Sequence, residues 1–299
     1  MNINMTTKFL VIPLITISLA FVSCGGNSET EKNNEGSGNS DSILVADTVS
    51  VSMDDNEVSY NLPSALQIAY VFKKSGASFV PSLLNDKAST NKYNTSNYKR
   101  AVNFGIYSAD LAYCLFNKKY QDSKEYLKAC KDMGASLGLN SAFESDNMAQ
   151  RFDKNISNED SVIKIVSSVQ LKTDVMFEQN KQKHITVIAF TGAWTESMYI
   201  ALEVYAKDKN KKVLASLLEQ LLLSETVIKA LKSHQTSEAE MPTLILAVEN
   251  INTQFNAIAA VKLAIEKDEE MDFNLISVTD GELKTISESV KSLRTNMIN

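Results

Sequence analysis

Two acidic side chains stand in segments that are otherwise apolar, and they are the residues whose type and spacing suggest chemistry. Asp110 lies within the run NFGIYSADLAYCLF, and Glu196 lies within ITVIAFTGAWTESMYIALEVY. A buried polar group must be paired, because leaving one unmet costs ~1–3 kcal/mol. At helical spacing, aromatic and acidic residues fall next to these two acids. The candidate set is Tyr107, Asp110, Trp194, Glu196, Tyr199 and Glu203.

Two interpretations of this candidate set are open. If the side chains of the two segments converge, they line a small polar-aromatic pocket that can take a small molecule. Alternatively, they form a buried polar network that fixes the register of the helices, or they lie on a solvated face. The position of Asp110 relative to the helix that carries Glu196 decides between these interpretations.

The familiar catalytic, cofactor and metal motifs are missing from the sequence. It contains no Walker A motif, no G-x-G-x-x-G and no G-x-S-x-G. The two histidines, His184 and His234, lie on different predicted helices, which does not suggest a metal site. Residues 61–299 hold 28 acidic and 28 basic side chains, so no basic surface for nucleic acid is expected. We therefore predict a non-catalytic protein with no cofactor, no metal and no nucleic-acid partner.

The amino terminus has the pattern of a bacterial lipoprotein signal peptide. Lys8 precedes the uncharged run FLVIPLITISLAF, which is too short to span a bilayer as a helix. The run leads into Phe21-Val22-Ser23-Cys24, which resembles a lipobox. We predict that residues 1–23 are removed and that Cys24 is acylated, which makes a membrane the first partner. The predicted location is the cell envelope. The outer membrane is favoured, on its periplasmic or surface face.

Residues 24–60 are predicted to form an acidic, flexible linker. They hold eight acidic residues and one lysine, for a net charge of −7, and are otherwise rich in Asn, Gly and Ser. Such a composition cannot bury enough apolar surface to offset the entropy of the chain. The alternation of Val49, Val51 and Met53 allows one short strand or an extended arm near the end of the linker.

Residues 61–299 are predicted to form one all-α soluble domain, an antiparallel helical bundle or helical-hairpin array of about eight or nine helices. Long stretches show a period of 3.6 residues, and strand-like alternation is nearly absent. Capping-box spacing at Ser141 and Thr279, and glycines at positions 76 and 138, mark helix ends. The predicted helices are 63–75, 95–118, 121–137, 141–155, 159–182, 184–208, 211–234, 241–267 and 280–297.

The segment 185–205 is apolar on nearly every side and is predicted to be the central helix. Small residues on this segment and on the 95–118 helix offer surfaces for close helix approach, and these are Gly105, Ala109, Ala112, Ala189, Gly192 and Ala193. The apolar residues of 241–267 follow a 4-3 rhythm that ends at Ile265, which predicts a buried stripe. Cys114 and Cys130 are expected to be two buried thiols, with a disulfide as the alternative.

The chain resembles uncharacterised helical lipoproteins encoded by Bacteroidetes-type bacteria. The resemblance is carried by the Ser23-Cys24-Gly25-Gly26 junction, the acidic spacer and the motif GIYSADLAY at 105–113. It implies a lipid-anchored helical body and brings no known activity. The first hypothesis is thus a non-catalytic envelope lipoprotein that binds or scaffolds a protein or envelope component. The alternative is a small-molecule binding or sensing lipoprotein with a pocket near Asp110, Trp194 and Glu196. An envelope hydrolase comes third.

Overall fold

The computed structural model describes residues 49–50 and 61–299. The chain divides into two compact units, Met1–Ser42 and Ile43–Asn299, and the described residues all belong to the second. The predicted signal peptide, the predicted lipidation site Cys24 and most of the predicted linker lie outside the described residues.

The described residues form an all-α body in which twelve α-helices pack together. A single pair of two-residue strands precedes the first helix, with β1 (Val49–Ser50) antiparallel to β2 (Asn61–Leu62). The helices are α1 (Ala65–Lys74), α2 (Asn97–Phe116), α3 (Tyr120–Ser136), α4 (Asn140–Glu144), α5 (Met148–Lys154), α6 (Glu159–Gln179), α7 (Lys183–Asp208), α8 (Lys211–Leu222), α9 (Ser224–Ser233), α10 (Met241–Asn256), α11 (Ala259–Lys267) and α12 (Asp280–Ile298).

Helices α2 and α7 form the centre of the body because two glycines let their backbones touch. A Cβ atom added at Gly105 would lie 1.7 Å from the carbonyl oxygen of Ala189. A Cβ atom at Gly192 would lie 2.1 Å from the carbonyl oxygen of Val102. Both distances are far below van der Waals contact, so only glycine fits at these two positions. The predicted close approach of the two small-residue surfaces is confirmed.

The apolar segment of α7 is buried within the body, as predicted for a central helix. Within the described part of the chain, α7 alone has the length and composition of a membrane-spanning helix, and 83% of its apolar window is buried. Helices α1, α2, α6, α8, α9 and α12 all pack against it. Around this centre, α3 folds back along α2, α12 lies on α7 and α10, and α6 packs against α2, α4, α5 and α7.

Three of the nine predicted helices are each divided into two, which gives twelve helices instead of the eight or nine expected. The predicted helix 211–234 is interrupted at Leu223, and 141–155 is interrupted at residues 145–147, where Asn147 adopts a left-handed conformation with φ of 52°. The predicted helix 241–267 breaks at Ile258, which has a non-helical backbone (ψ of 125°) and is fully buried. Neither proline nor glycine marks these breaks, so tertiary packing determines them.

The break at Ile258 also changes which residues of the last predicted stripe are buried. Leu244, Val248 and Phe255 are buried, as expected from the 4-3 rhythm. Ile265 is 52% exposed, so its predicted place on the buried stripe is wrong. A change of chain direction at residue 258 resets the helical phase, because α11 presents a different face to the core.

Most of the predicted helix ends are found, and one cap is wrong. Gly76 and Gly138 have φ of 89° and 81° and follow α1 and α3, as expected for a residue just past a helix end. Thr279 forms the predicted capping box at the start of α12. The capping box predicted at Ser141 is absent, because α4 starts one residue earlier and Leu139 occupies its cap position.

The two cysteines of the body are free, buried thiols, which confirms the expected arrangement. Burial raises the pKa of Cys130 to about 12, and a hydrogen bond with Ser108, 3.8 Å away, opposes that rise. Burial also raises the pKa of Cys114 above its ordinary value. Both side chains are therefore protonated and unreactive near neutral pH in the folded protein.

Candidate functional site

Asp110 of α2 and Glu196 of α7 meet in the interior, where Asn85 bridges them. Both acids are fully buried. The side-chain amide of Asn85 donates to Asp110 Oδ2 at 2.8 Å and to Glu196 Oε1 at 3.1 Å, and its backbone N–H donates to Asp110 Oδ2 at 3.1 Å. Asn85 belongs to the irregular connection between α1 and α2, so this bridge ties the connection to both central helices.

Arg294 of α12 supplies the positive charge of this cluster. Its Nε and Nη2 donate to the two oxygens of Glu196 at 2.6 and 3.0 Å, and Nη2 also donates to Asn85 Oδ1 at 2.9 Å. The guanidinium carbon lies 4.2 Å from the centre of the Tyr199 ring. The Arg294 side chain is 12% exposed and that of Glu196 is 0% exposed. This ion pair is bidentate and largely buried. Arginine binds a carboxylate most strongly in the bidentate geometry.

Two tyrosines fix the backbone of the same connection. Tyr126 of α3 donates its hydroxyl to the carbonyl oxygen of Asn85 at 2.6 Å, and Tyr107 of α2 donates to that of Asp86 at 2.6 Å. Burial, as the largest cause, raises the pKa of both hydroxyls above the ordinary tyrosine value. Both hydroxyls therefore remain donors at any physiological pH, and residues 85 and 86 are held from two sides.

Asp110 and Glu196 hold fewer negative charges than two separate acids would. Burial raises the pKa of Asp110, and the nearby charge of Glu196 raises it further. Burial also raises the pKa of Glu196, whereas the hydrogen bond and charge of Arg294 and the hydrogen bonds with Asn85 and Asp110 lower it. Asp110 Oδ1 has no hydrogen-bond donor. We therefore assign the proton of the pair to Asp110 and the charge to Glu196, which Arg294 neutralises.

The structure brings together four of the six candidate residues named from the sequence, namely Tyr107, Asp110, Glu196 and Tyr199. The other two lie elsewhere. Trp194 donates its ring N–H to the carbonyl oxygen of Gln220 at 3.1 Å, towards α8. Glu203 pairs with Lys291 of α12 at 2.6 Å near the surface. The cluster thus has the form of a buried polar network. Since both of its acids are inaccessible, they cannot reach a substrate in this conformation.

A separate cavity of about 130 Å³ lies between α2, α6 and α7, with the start of α1 and parts of α3 and α4 at its sides. Gly105, Ser108 and Leu111 of α2 line it. These residues and Asp110 lie on different faces of α2, because each residue advances about 100° around a helix. Its lining is mostly apolar, with Phe104, Val166, Val169, Phe177, Val187 and Phe190 among its residues. The polar network does not line this cavity.

Asp174 of α6 lines the cavity and has no partner for one of its oxygens. Part of the side chain is exposed, but its Oδ2 is buried and makes no hydrogen bond. Burial alone raises the pKa of Asp174 to about 7. Lys183 of α7 and His234, which follows α9, also line the cavity, and both take part in interactions. The cavity therefore combines a mainly apolar lining with one carboxyl oxygen that no donor of the described residues reaches.

Asn85, Tyr126, Arg294 and Asp174 are important residues that were not predicted from the sequence. Asn85 lies in an irregular connection, where no periodicity indicates which side chains point inward. Arg294 adjoins the buried stripe of α12, which includes Val290 and Leu293. This position next to buried residues could have indicated that Arg294 faces the interior. Asp174 ends the polar run Lys172-Thr173-Asp174 on α6, where an acid is usually solvated.

Neither a metal-binding cluster nor a similar known protein indicates the function of the chain. Within residues 49–50 and 61–299, no three His, Cys, Asp or Glu side chains are close enough together to hold a metal ion. No family model, no curated protein sequence and no solved structure matches the chain. Its function must therefore be inferred from the cavity and the polar network themselves.

Proposed function

We propose that the chain is a cell-envelope lipoprotein, anchored through Cys24, whose helical body binds a small, mainly apolar molecule in the cavity between α2, α6 and α7. The signal-peptide pattern, the lipobox-like junction and the acidic linker support the anchoring. In this proposal the acidic linker separates the helical body from the membrane. The outer membrane is the favoured location because Gly25 follows Cys24.

The cavity is the observation that carries the binding part of the proposal. Its volume of about 130 Å³ is close to that of an engineered cavity of ~150 Å³ that stays dry and binds benzene. Aromatic and branched aliphatic side chains dominate its lining, as in known small-molecule sites. A ligand of this size would make dispersion contacts with these walls. The proposed binding site is therefore this cavity and not the pocket near Asp110 and Trp194 that the sequence suggested. The cavity and Asp110 lie on different faces of α2.

A thermal-shift and NMR experiment with toluene as the probe tests this proposal. We expect toluene to raise the melting temperature and to shift methyl signals of Val169 and Val187, which line the cavity. A Val166→Phe variant fills part of the cavity and should lose the response. Leu171→Phe is the matched control on the same helix, because Leu171 is 52% exposed. If toluene gave equal responses in both variants, or none in the unmodified protein, the proposed site would be wrong.

Acylation of Cys24 is tested separately by labelling cells with an alkyne-bearing fatty acid. We expect the label on the full chain and its loss in Cys24→Ser. Ser28→Ala, four residues beyond the junction, is the matched control and should keep the label. A mature protein that carries a free thiol at Cys24, measured by mass spectrometry, would contradict the anchoring.

Binding of an envelope protein is the second candidate, and an open groove of about 770 Å³ favours it. The groove lies between α1, α8 and residues 270–274, and Tyr70, Phe273, Lys212 and Glu219 are among its lining residues. Its mixed aromatic and charged lining suits an extended peptide segment of a partner. A photocrosslinking residue at Ser216, in the groove, should capture one defined protein that the same residue at a remote position does not. Capture at neither position would count against this candidate.

A further inference from the structure

The carboxyl group of Asp174 bears on which small molecules the cavity accepts. Its Oδ2 is a buried acceptor on the cavity wall that no donor among residues 61–299 reaches. An ionised carboxylate accepts hydrogen bonds only, and its buried charge is costly unless a cation pairs with it. The missing partner is therefore a donor that also carries positive charge.

We propose that the cavity binds a primary amine with a compact apolar body, its ammonium paired with Asp174 and its apolar part against the walls formed by α2, α6 and α7. This inference rests on the proposed small-molecule site and names its ligand class. An ammonium group has three donors and a full charge, so it satisfies the buried oxygen better than a hydroxyl group does. Phe104, Val169 and Phe190 are placed to enclose the apolar part.

The other titratable groups on the cavity wall are Lys183, His234 and Cys130. Burial holds Cys130 neutral. Lys183 and His234 take part in interactions, and neither changes the pKa of Asp174, which burial alone raises to about 7. Ionised Asp174 is the form that pairs with an ammonium group. Amine binding should therefore weaken as the pH falls below about 7, where Asp174 takes up a proton.

Three probes of one shape test the ligand class on the full chain: benzylamine, benzyl alcohol and toluene. At about pH 8 we expect benzylamine to bind at least tenfold more tightly than benzyl alcohol, since a charged hydrogen bond contributes more than a neutral one. Asp174→Asn should remove this preference while toluene still binds. Asp160→Asn, an exposed acid at the start of the same helix, is the matched control and should keep it.

The outcomes separate this inference from the proposed function. If toluene and benzyl alcohol bind but benzylamine binds no more tightly, the cavity is a small-molecule site and the amine inference is wrong. If the preference for benzylamine survives Asp174→Asn, the ammonium pairs elsewhere and the inference is again wrong. If none of the three probes binds, the proposed site itself fails. An Asp174→Asn variant that binds toluene with unchanged affinity shows that the fold is intact.

Discussion

Removing the guanidinium of Arg294 is the sharpest test of the buried polar network. In Arg294→Met, the long apolar stem is kept, but Glu196 loses its two hydrogen bonds from Arg294 and its counter-charge. Breaking a buried pair by removing one partner costs ~3–5 kcal/mol, because the other charge stays buried. Since Arg294 is 12% exposed, we expect the lower end, about 3 kcal/mol. For a body of this size that lowers the melting temperature by roughly 6–12 °C.

The loss of stability in Arg294→Met should depend on pH in a defined direction. Burial raises the pKa of Glu196 in the folded chain, and Arg294 opposes that rise. Without Arg294, the folded-state pKa of Glu196 lies further above its unfolded value. Such a group stabilises the fold at pH values below its unfolded pKa, and this stability is lost as the pH rises through the folded pKa. The deficit should therefore be larger at about pH 8 than at about pH 5.

Urea denaturation measures both effects, with circular dichroism for the helices and fluorescence of Trp194, the single tryptophan of the chain. Arg151→Met is the matched control, since Arg151 is an exposed arginine of α5. In the double variant Arg294→Met/Glu196→Gln, residue 196 carries no charge. Its free energy of unfolding at high pH should therefore be about 2 kcal/mol higher than that of Arg294→Met. Equal unfolding midpoints for Arg294→Met and Arg151→Met at both pH values would refute this account of the network.

Further predictions concern the helix contact, the cavity acid and the thiols. Gly105→Ala should destabilise the fold by about 3 kcal/mol or more in urea denaturation, because its Cβ would overlap the α7 backbone. Gly281→Ala, on an open part of α12, is the control and should be neutral or slightly stabilising. The pKa of Asp174 is raised to about 7, so stability should fall between about pH 4 and pH 7, and Asp174→Asn should remove this slope in denaturation series across pH. Cys114 and Cys130 should react with maleimide only when urea unfolds the chain, and fast labelling of the native protein would contradict their burial.

The features that could be predicted from the sequence are those that depend on the residue pattern of a single helix. Asp110 and Glu196 were recognisable because an acid within an apolar helix must find a partner. Gly105 and Gly192 were recognisable because a small residue on an apolar helix allows close packing. These inferences need only the local pattern, and the structure agrees with the helical segments and with the close approach of α2 and α7.

The features that could not be predicted from the sequence depend on contacts between segments that are far apart in the chain. Asn85 is 111 residues from Glu196, and Arg294 is 98 residues from it, so no local pattern links them. The break at Ile258 follows from the burial of that side chain between elements, and no helix-breaking residue announces it. The cavity next to Asp174 arises from how α6 lies on α2 and α7, which depends on the packing of three separate helices.

The order in which the network is completed has a consequence for the newly made chain. Glu196 is synthesised 98 residues before Arg294, and Asn85 precedes Arg294 by 209 residues. A chain that leaves the ribosome amino terminus first thus exposes two acids without the nearby arginine until residue 294 emerges. During that interval α2 and α7 cannot bury these acids at full stability. Final packing of α2 and α7 around these acids therefore waits for α12, which carries Arg294.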